Sequence, residues 1–281
     1  MQGCIEKKLN QPFGLTITPA FSGQSLSRLP IDELRELARQ HHLVILRDFS
    51  HDLHTPTALV HYARQWGEIQ SGSYGDILEV REHRDAQDHV FDHHDMHLHW
   101  DGVFVPTVPE FQLFHCLQAP RPEAGGQTTF VNTRALIRQV PAQRLAQWQA
   151  IEVTYRIDKV AHYGGEVRSP LLVHDPRDHE WVLRYCEPPV TNRQVLNRHS
   201  LEYHGIEASE INEFAADLHR RLCDPQFVYA HPWQPGDLLI ADNFSLLHGR
   251  RAFTSQCTRH LQRVHLHGSP RCINRALIHA G

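Results

Sequence analysis

The stretch Pro235–Gly268, "PGDLLIADNFSLLHGRRAFTSQCTRHLQRVHLHG", decides how the rest of the chain reads. Pro235-Gly236 is a turn pair, and Asp237 to Ala241 is a strongly apolar strand. His248 follows after a short connection. Arg259 and Arg263 come next, four residues apart in a strand-like segment, so they share a face. A metal-binding imidazole and two cations would then line one cavity.

Working outward, the region from about residue 76 onward consists of short apolar or alternating segments broken by turn residues. "DILEVRE" (76–82), "EFQLFHCLQ" (110–118), "GGQTTFVNT" (125–133), "IEVTYRI" (151–157), "EWVLRYC" (180–186) and "RHLQRVHLH" (259–267) all read as strands. One clear helix interrupts them over 209–222, with Ile211, Phe214, Ala215, Leu218 and Leu222 on one side. The first quarter alternates helix and strand. Residues 29–42 have helical spacing, 43–49 read as a buried strand, and a second helix carries Thr55 as N-cap, Pro56 at its first position and Gly67 past its end. The expected fold is mainly β with flanking helices, a sandwich or jelly roll, as a single domain over 1–281 with a partly helical insertion around 134–225.

With 281 residues and a formal charge of −4, the chain lacks the basic face of a nucleic-acid binder. No apolar run reaches the length of a membrane helix. The six cysteines (Cys4, Cys116, Cys186, Cys223, Cys257, Cys272) are scattered without a CxxC pair, which excludes a disulfide framework or structural zinc site as the reading. These features point to a soluble cytoplasmic protein with a small-molecule ligand and neither nucleic-acid nor membrane partners. A homodimer is the default assembly.

The second informative stretch is "HLHWDGVF", His97–Phe104. His99 and Asp101 stand two apart, and in a strand such residues point to one face. Imidazole with carboxylate suits a first-row metal such as iron, and one further histidine completes a facial triad. The chain holds 24 histidines, however, and His93 with Asp95 repeats the spacing a few residues upstream. Spacing alone leaves both pairs open.

Taken in order, His99-Trp100-Asp101, Thr128 after the paired-glycine turn of "GGQTTF", His248, and Arg259 eleven residues beyond it resemble the taurine-dioxygenase (TauD/TfdA) family. The resemblance runs from about residue 12 to 268. It implies a double-stranded β-helix (jelly-roll) core and an oxygenase using Fe(II), 2-oxoglutarate as cosubstrate, and O2. It implies His99, Asp101 and His248 as metal ligands and catalytic centre, Arg259 and Thr128 as contacts of the cosubstrate's distal carboxylate, and Arg263 as a substrate contact. The pair His93/Asp95 lacks the following "HWDGVF" context. "TVPEFQLFHC", "RYCEPPV", "ADNFSLLHGR" and "RHLQRVHLH" further resemble the PvcB-like isonitrile-biosynthesis oxygenases, with His97 where that group's pattern has proline. This closer resemblance implies tyrosine isonitrile as substrate and a secondary-metabolite role. Hydrogen abstraction at the benzylic carbon would lead either to hydroxylation or to decarboxylating desaturation. The alternatives are another amino-acid derivative or a sulfonate as substrate, or a non-catalytic metabolite-binding jelly roll. Asp101 in the ligand set disfavours a halogenase. Arg250 and Arg251 are expected in solvent, Trp100 and Tyr163 in packing roles, and Gly72–His94 is a lid candidate.

Overall fold

The computed structural model describes residues 5–50, 52–157, 164–189 and 197–276; Cys4 and Tyr163 lie outside the described residues. Two sheets dominate. The larger has seven strands in the order Ile5–Leu9, Leu15–Pro19, Leu43–Leu46, Leu238–Asp242, Phe111–Gln118, His260–Leu266 and Leu78–Arg81. The smaller has four: Val228–His231, Thr128–Asn132, Leu246–Arg250 and Met96–His99. Within these two sheets neighbours are antiparallel except Leu15–Pro19, which runs parallel to Leu43–Leu46. The chain crosses from one sheet to the other and back through Leu238–Asp242, Leu246–Arg250 and His260–Leu266.

Alternation along the strands explains the apolar run that opened the sequence. Leu239 and Ala241 pack with Phe114, Phe130, Leu246 and Leu261, a cluster drawn from both sheets. Leu238 and Ile240 turn the other way, onto the helices Ile31–His41 and Pro56–Trp66 through Leu34, Ala38, Leu59 and Tyr62. A strand covered on both faces needs apolar residues at every position. The second of these helices begins as its residues dictate: Thr55 Oγ1 accepts a hydrogen bond from the Ala58 amide at 3.2 Å. On the outer face of the smaller sheet, Leu98, Val131 and Leu247 meet a third cluster built around Tyr155, Trp148 and Phe214.

Several expectations need correction. The helix Ile211–Leu222 is joined by two others, Thr133–Arg138 and Ala142–Ala150. The strand expected over 180–186 shrinks to Trp181–Leu183, paired among the described residues only with Leu172–His174. The lid candidate Gly72–His94 is pinned in its middle, because Leu78–Arg81 pairs with His260–Arg263. Among the described residues no helix is long and apolar enough to cross a membrane.

Asp237 ties the two sheets together. It receives Nε and Nη2 of Arg47 at 2.8 and 2.6 Å and Nε2 of His231, from the smaller sheet, at 3.0 Å. Burial raises the Asp237 pKa, but the bonds from Arg47 and His231 outweigh it and leave a net lowering. A carboxyl with a depressed folded-state pKa contributes stability that is present above its unfolded value and lost as pH falls through the folded value. Asp237→Ala is therefore expected to cost about 2–4 kcal/mol in denaturant unfolding at neutral pH. The deficit should shrink as pH falls below the usual carboxylate range and through the depressed folded-state value, where the wild-type carboxyl is also protonated.

Candidate metal centre and ligand cavity

His99 and His248 are cross-strand partners in the smaller sheet, which brings their ring centres to 4.2 Å. The strands approach so closely beside this pair that a Cβ on Gly249 would lie 2.6 Å from the Met96 carbonyl oxygen. Nδ1 of His99 lies 3.0 Å from the His97 carbonyl oxygen, which can only accept, so Nδ1 carries the proton and Nε2 keeps its lone pair. Asp101 follows the strand end, its backbone clamped by Asn243, which accepts from the Asp101 amide at 2.9 Å and donates to its carbonyl at 3.0 Å. One ligand atom from each of His99, Asp101 and His248 then lies within 4.8 Å of the other two, close enough for one ion to meet all three.

The Asp101 carboxylate is crowded on one side. Nη1 of Arg263 at 2.9 Å, Nε2 of His265 at 2.7 Å and the amide of Gln112 all reach Oδ2. Oδ1 is left toward His99, 3.5 Å from its Nε2. Burial would raise the Asp101 pKa, but the Arg263 guanidinium and the hydrogen bond from His265 hold it well below the usual carboxylate range. Burial, with His99 beside it, pushes His248 well below the usual imidazole range, so it stands as a neutral base. Two imidazoles and one carboxylate held by a single oxygen are a donor set that a first-row divalent ion fits.

Arg259 presents the complementary problem. Its Nε donates to the Gly126 carbonyl at 2.9 Å and one Nη approaches Thr128 Oγ1 at 3.4 Å, while Nη1 is buried without a hydrogen-bond partner. Burial, with Arg250 nearby, lowers its pKa to about 9, so it remains charged at neutral pH. Among the described residues no carboxylate pairs with it. A buried cation with an unused donor calls for an anion. Gly125 and Gly126, both at positive φ, allow the approach: a Cβ on Gly126 would press on the Arg259 side chain at 3.0 Å. Thr128 stands two residues along its strand from Phe130, which pairs with His248, so it shares the face of the ligand pair about 7 Å away. A five-carbon dicarboxylate spans that gap.

Beside Asp101 and His99 a cavity of about 180 Å³ is walled by Trp100, Val103, Phe104, Tyr155, Ile157 and His199, among others. Arg263 lines it too, so the residue read as a substrate contact also holds the metal-site carboxylate. The sequence reading missed Gln112, Asn243 and His265. Gln112 and His265 gave a faint signal as polar residues at buried positions of apolar strands, where each needs a partner. Arg250 was expected in solvent; it is buried and donates to the carbonyls of Val90, His89 and His94, holding the segment that leads into Met96–His99. Arg251 is exposed as expected. Of the competing pair, Asp95 caps the Ala252 amide at 2.7 Å, while His93 turns to Glu82 at 3.1 Å. Asp92, His93 and His94 also bring three ligand atoms together, at a half-exposed position away from the cavity's metal-side wall.

Fold and site define an enzyme class, the iron- and 2-oxoglutarate-dependent oxygenases. Residues 7–265 match the family described as "Taurine catabolism dioxygenase TauD, TfdA family", and the chain belongs to it. It is 41% identical over 263 residues to the tyrosine isonitrile desaturase of Pseudomonas aeruginosa, covering 93% of this chain and 90% of that protein. It is 38% identical to the 3-((Z)-2-isocyanoethenyl)-1H-indole synthase of Fischerella ambigua, covering 91% and 93%. A solved structure of PvcB, described as an Fe, alpha-ketoglutarate dependent oxygenase from an isonitrile synthetic pathway, superposes with a TM-score of 0.81 at 36% identity, covering 96% of this chain and 94% of that one. The chain is accordingly an oxidoreductase of this family, using Fe(II), 2-oxoglutarate and O2.

Gln112→Leu removes one donor from Asp101 Oδ2 without touching a metal ligand. It should weaken Fe(II) binding by about 10–100-fold in an anaerobic titration, with the circular dichroism spectrum unchanged. Wild-type affinity in this variant would show that Gln112 does not position the carboxylate.

Proposed function

We propose that this oxygenase converts an isonitrile derivative of an aromatic amino acid, tyrosine isonitrile, to a vinyl isonitrile by decarboxylating desaturation. The observation that carries the reading is the cavity, apolar and aromatic in its walls yet edged by Arg263 beside the metal-ligand set. An aryl acid fits that pairing. The identity to enzymes named for this chemistry supports it. The strand crossings between the two sheets support a double-stranded β-helix core in one domain, with the helix-containing segment around 134–225 packed outside it.

His99, Asp101 and His248 would hold the iron, which when bound with 2-oxoglutarate and O2 supplies the oxidant for C–H cleavage. Gln112 and His265 fix Asp101 through Oδ2 so that its other oxygen faces the metal. Arg259 offers its unused Nη1 to the distal carboxylate of 2-oxoglutarate, with the Thr128 hydroxyl as neighbour. Arg263 keeps Nη1 on Asp101 and turns its remaining donors, including a buried Nε without a partner, to the substrate carboxylate. This would place the substrate's acid end beside the metal and its ring among Trp100, Phe104 and Tyr155. The substrate loses its carboxylate as CO2 together with one benzylic hydrogen and two electrons, and the carbon–carbon double bond forms between the benzylic and α carbons. Hydroxylation competes, and geometry on the scale of an ångström decides between them.

The decisive assay is aerobic turnover with Fe(II), 2-oxoglutarate and tyrosine isonitrile, following succinate and product mass together. Succinate formed only with substrate, and a product lacking CO2 and two hydrogens, is expected. Gain of one oxygen would make the protein a hydroxylase, and background succinate would refute the substrate. Arg259→Gln should raise the dissociation constant for 2-oxoglutarate by about 10–100-fold while leaving the Fe(II) titration unchanged. An unchanged 2-oxoglutarate affinity would remove Arg259 from the cosubstrate site.

A further inference from the structure

Beyond the acid end of the cavity, three imidazoles, His89, His97 and His199, line the wall together with Val90, Met96, Tyr155 and Ile157. His97 follows His99 on the same strand face, with ring centres 5.7 Å apart, and His199 follows His97 at 4.7 Å. These two steps lead away from the metal ligands into the wall contributed by Tyr155, whose ring centre is 6.2 Å from that of His199. That reach matches a para-substituted ring whose benzylic carbon faces the metal centre.

His199 differs from an ordinary buried histidine in having a defined polarity. Its Nε2 lies 3.1 Å from the Glu187 carbonyl oxygen, which can only accept, so Nε2 carries the proton. Nδ1 is then a bare acceptor, and among the described residues nothing donates to it. The side chain is 6% exposed, and burial, with His89 nearby, lowers its pKa to about 4. At neutral pH the ring is therefore uncharged and keeps the Nδ1 lone pair. The neighbouring phenols are committed elsewhere: Tyr155 Oη accepts from the Cys186 amide at 3.1 Å, and Tyr185 Oη pairs with Tyr203 Oη at 2.8 Å. Glu187 also fixes the position of the ring. Its amide donates to the Leu98 carbonyl at 2.9 Å, and its carboxylate receives His219 Nδ1 at 2.7 Å, so the carbonyl that orients His199 is itself anchored to the strand bearing His99 and to the helix Ile211–Leu222.

We propose that His199 determines specificity at the far end of the substrate, its Nδ1 accepting a hydrogen bond from a donor on the aromatic ring. The pocket thereby selects a para-hydroxyl over hydrogen or fluorine at that position. This rests on the aryl isonitrile acid reading above and names the group on that substrate which is recognised. An uncharged imidazole suits a neutral phenol or an indole N–H, whereas an anionic ring substituent would be repelled by the lone pair.

The test is anaerobic equilibrium binding of tyrosine isonitrile, phenylalanine isonitrile and its para-fluoro analogue to the protein loaded with Fe(II) and 2-oxoglutarate. Wild type should prefer the para-hydroxyl ligand by about 10–100-fold, the cost of leaving one buried acceptor unpaired. His199→Phe keeps a ring of similar shape without the acceptor, and it should bring the three affinities to within about threefold by weakening tyrosine isonitrile alone. A preference that survives in His199→Phe overturns the assignment. The ligand series on wild type decides independently of whether the variant folds, since equal affinities there refute a recognised hydroxyl. Absence of binding across the series defeats the functional reading and this inference together, whereas tight binding without a hydroxyl preference defeats this inference alone.

Discussion

The Asp101 carboxylate has to be ionised in a place where water cannot solvate it. An isolated carboxylate there would take up a proton, and its pKa stays low only because Arg263, His265 and His248 surround it. Those partners come from different strands: His248 from Leu246–Arg250 in the smaller sheet, Arg263 and His265 from His260–Leu266 in the larger, and Gln112 from the neighbouring Phe111–Gln118. Asp101 itself sits at a turn made possible by Gly102, at positive φ, where a Cβ would meet the backbone of Val108 at 3.0 Å. The carboxylate thus fixes how the two sheets face each other at this end. The shared core of Phe114, Phe130 and Leu239 does the same further in, by packing.

Charge is distributed unevenly around this centre, and the unevenness carries the cofactor reading. Other buried carboxylates are paired with a cation: Asp237 has Arg47, and Asp242 receives Arg177 at 2.8 Å. Arg250 meets three carbonyl oxygens. Asp101 has more donors than its lone pairs on Oδ2 can use well, and Arg259 has a buried N–H with no acceptor. A dication beside the first and a dicarboxylate reaching the second restore the balance together. Neither imbalance makes sense as stabilisation of the empty fold, since an unpaired buried cation is costly.

How much of this was legible in the sequence depended on whether the signal was local. The helix at Pro56–Trp66 was readable because Thr55, Pro56 and Gly67 act within one turn of the positions they mark. The strand at Leu238–Asp242 was readable from burial on both faces. Ile5–Leu9 was not, because it is an edge strand whose Lys7 and Lys8 face solvent and give no apolar alternation. The short helices Thr133–Arg138 and Ala142–Ala150 offer too few turns for a period to show. At the site, His99, Asp101, His248, Thr128 and Arg259 could be ordered along the chain by resemblance, but spacing alone left His93 and Asp95 as rivals. Gln112, His265 and Asn243 act on Asp101 from strands and turns up to 164 residues away in sequence, so no local pattern announces them. Arg250 was misjudged for the same reason: the carbonyls it satisfies turn inward only once the loop at 89–94 is folded.

The candidate metal centre and the wall proposed to read the substrate belong to different layers of the molecule. His99, His248 and Thr128 share the inner face of the smaller sheet, where cross-strand register sets their spacing and a one-residue slip would turn each of them to the opposite face. Tyr155, Cys186 and His199 come from the segment between Thr133 and Val228, which has its own apolar cluster and three-stranded sheet of Gly165–Pro170, Glu152–Ile157 and Ser200–His204. Substitutions in that segment can reshape the far end of the cavity while the inner-face register is undisturbed. The layers meet through the apolar contact of Leu98, Val131 and Leu247 with the outer cluster and through the paired backbone groups of Glu187 and Leu98, one residue from His99. Such a separation lets one part of the chain hold the oxidative centre while another shapes the far end of the cavity, and His199, proposed to read the aromatic ring, belongs to the second part.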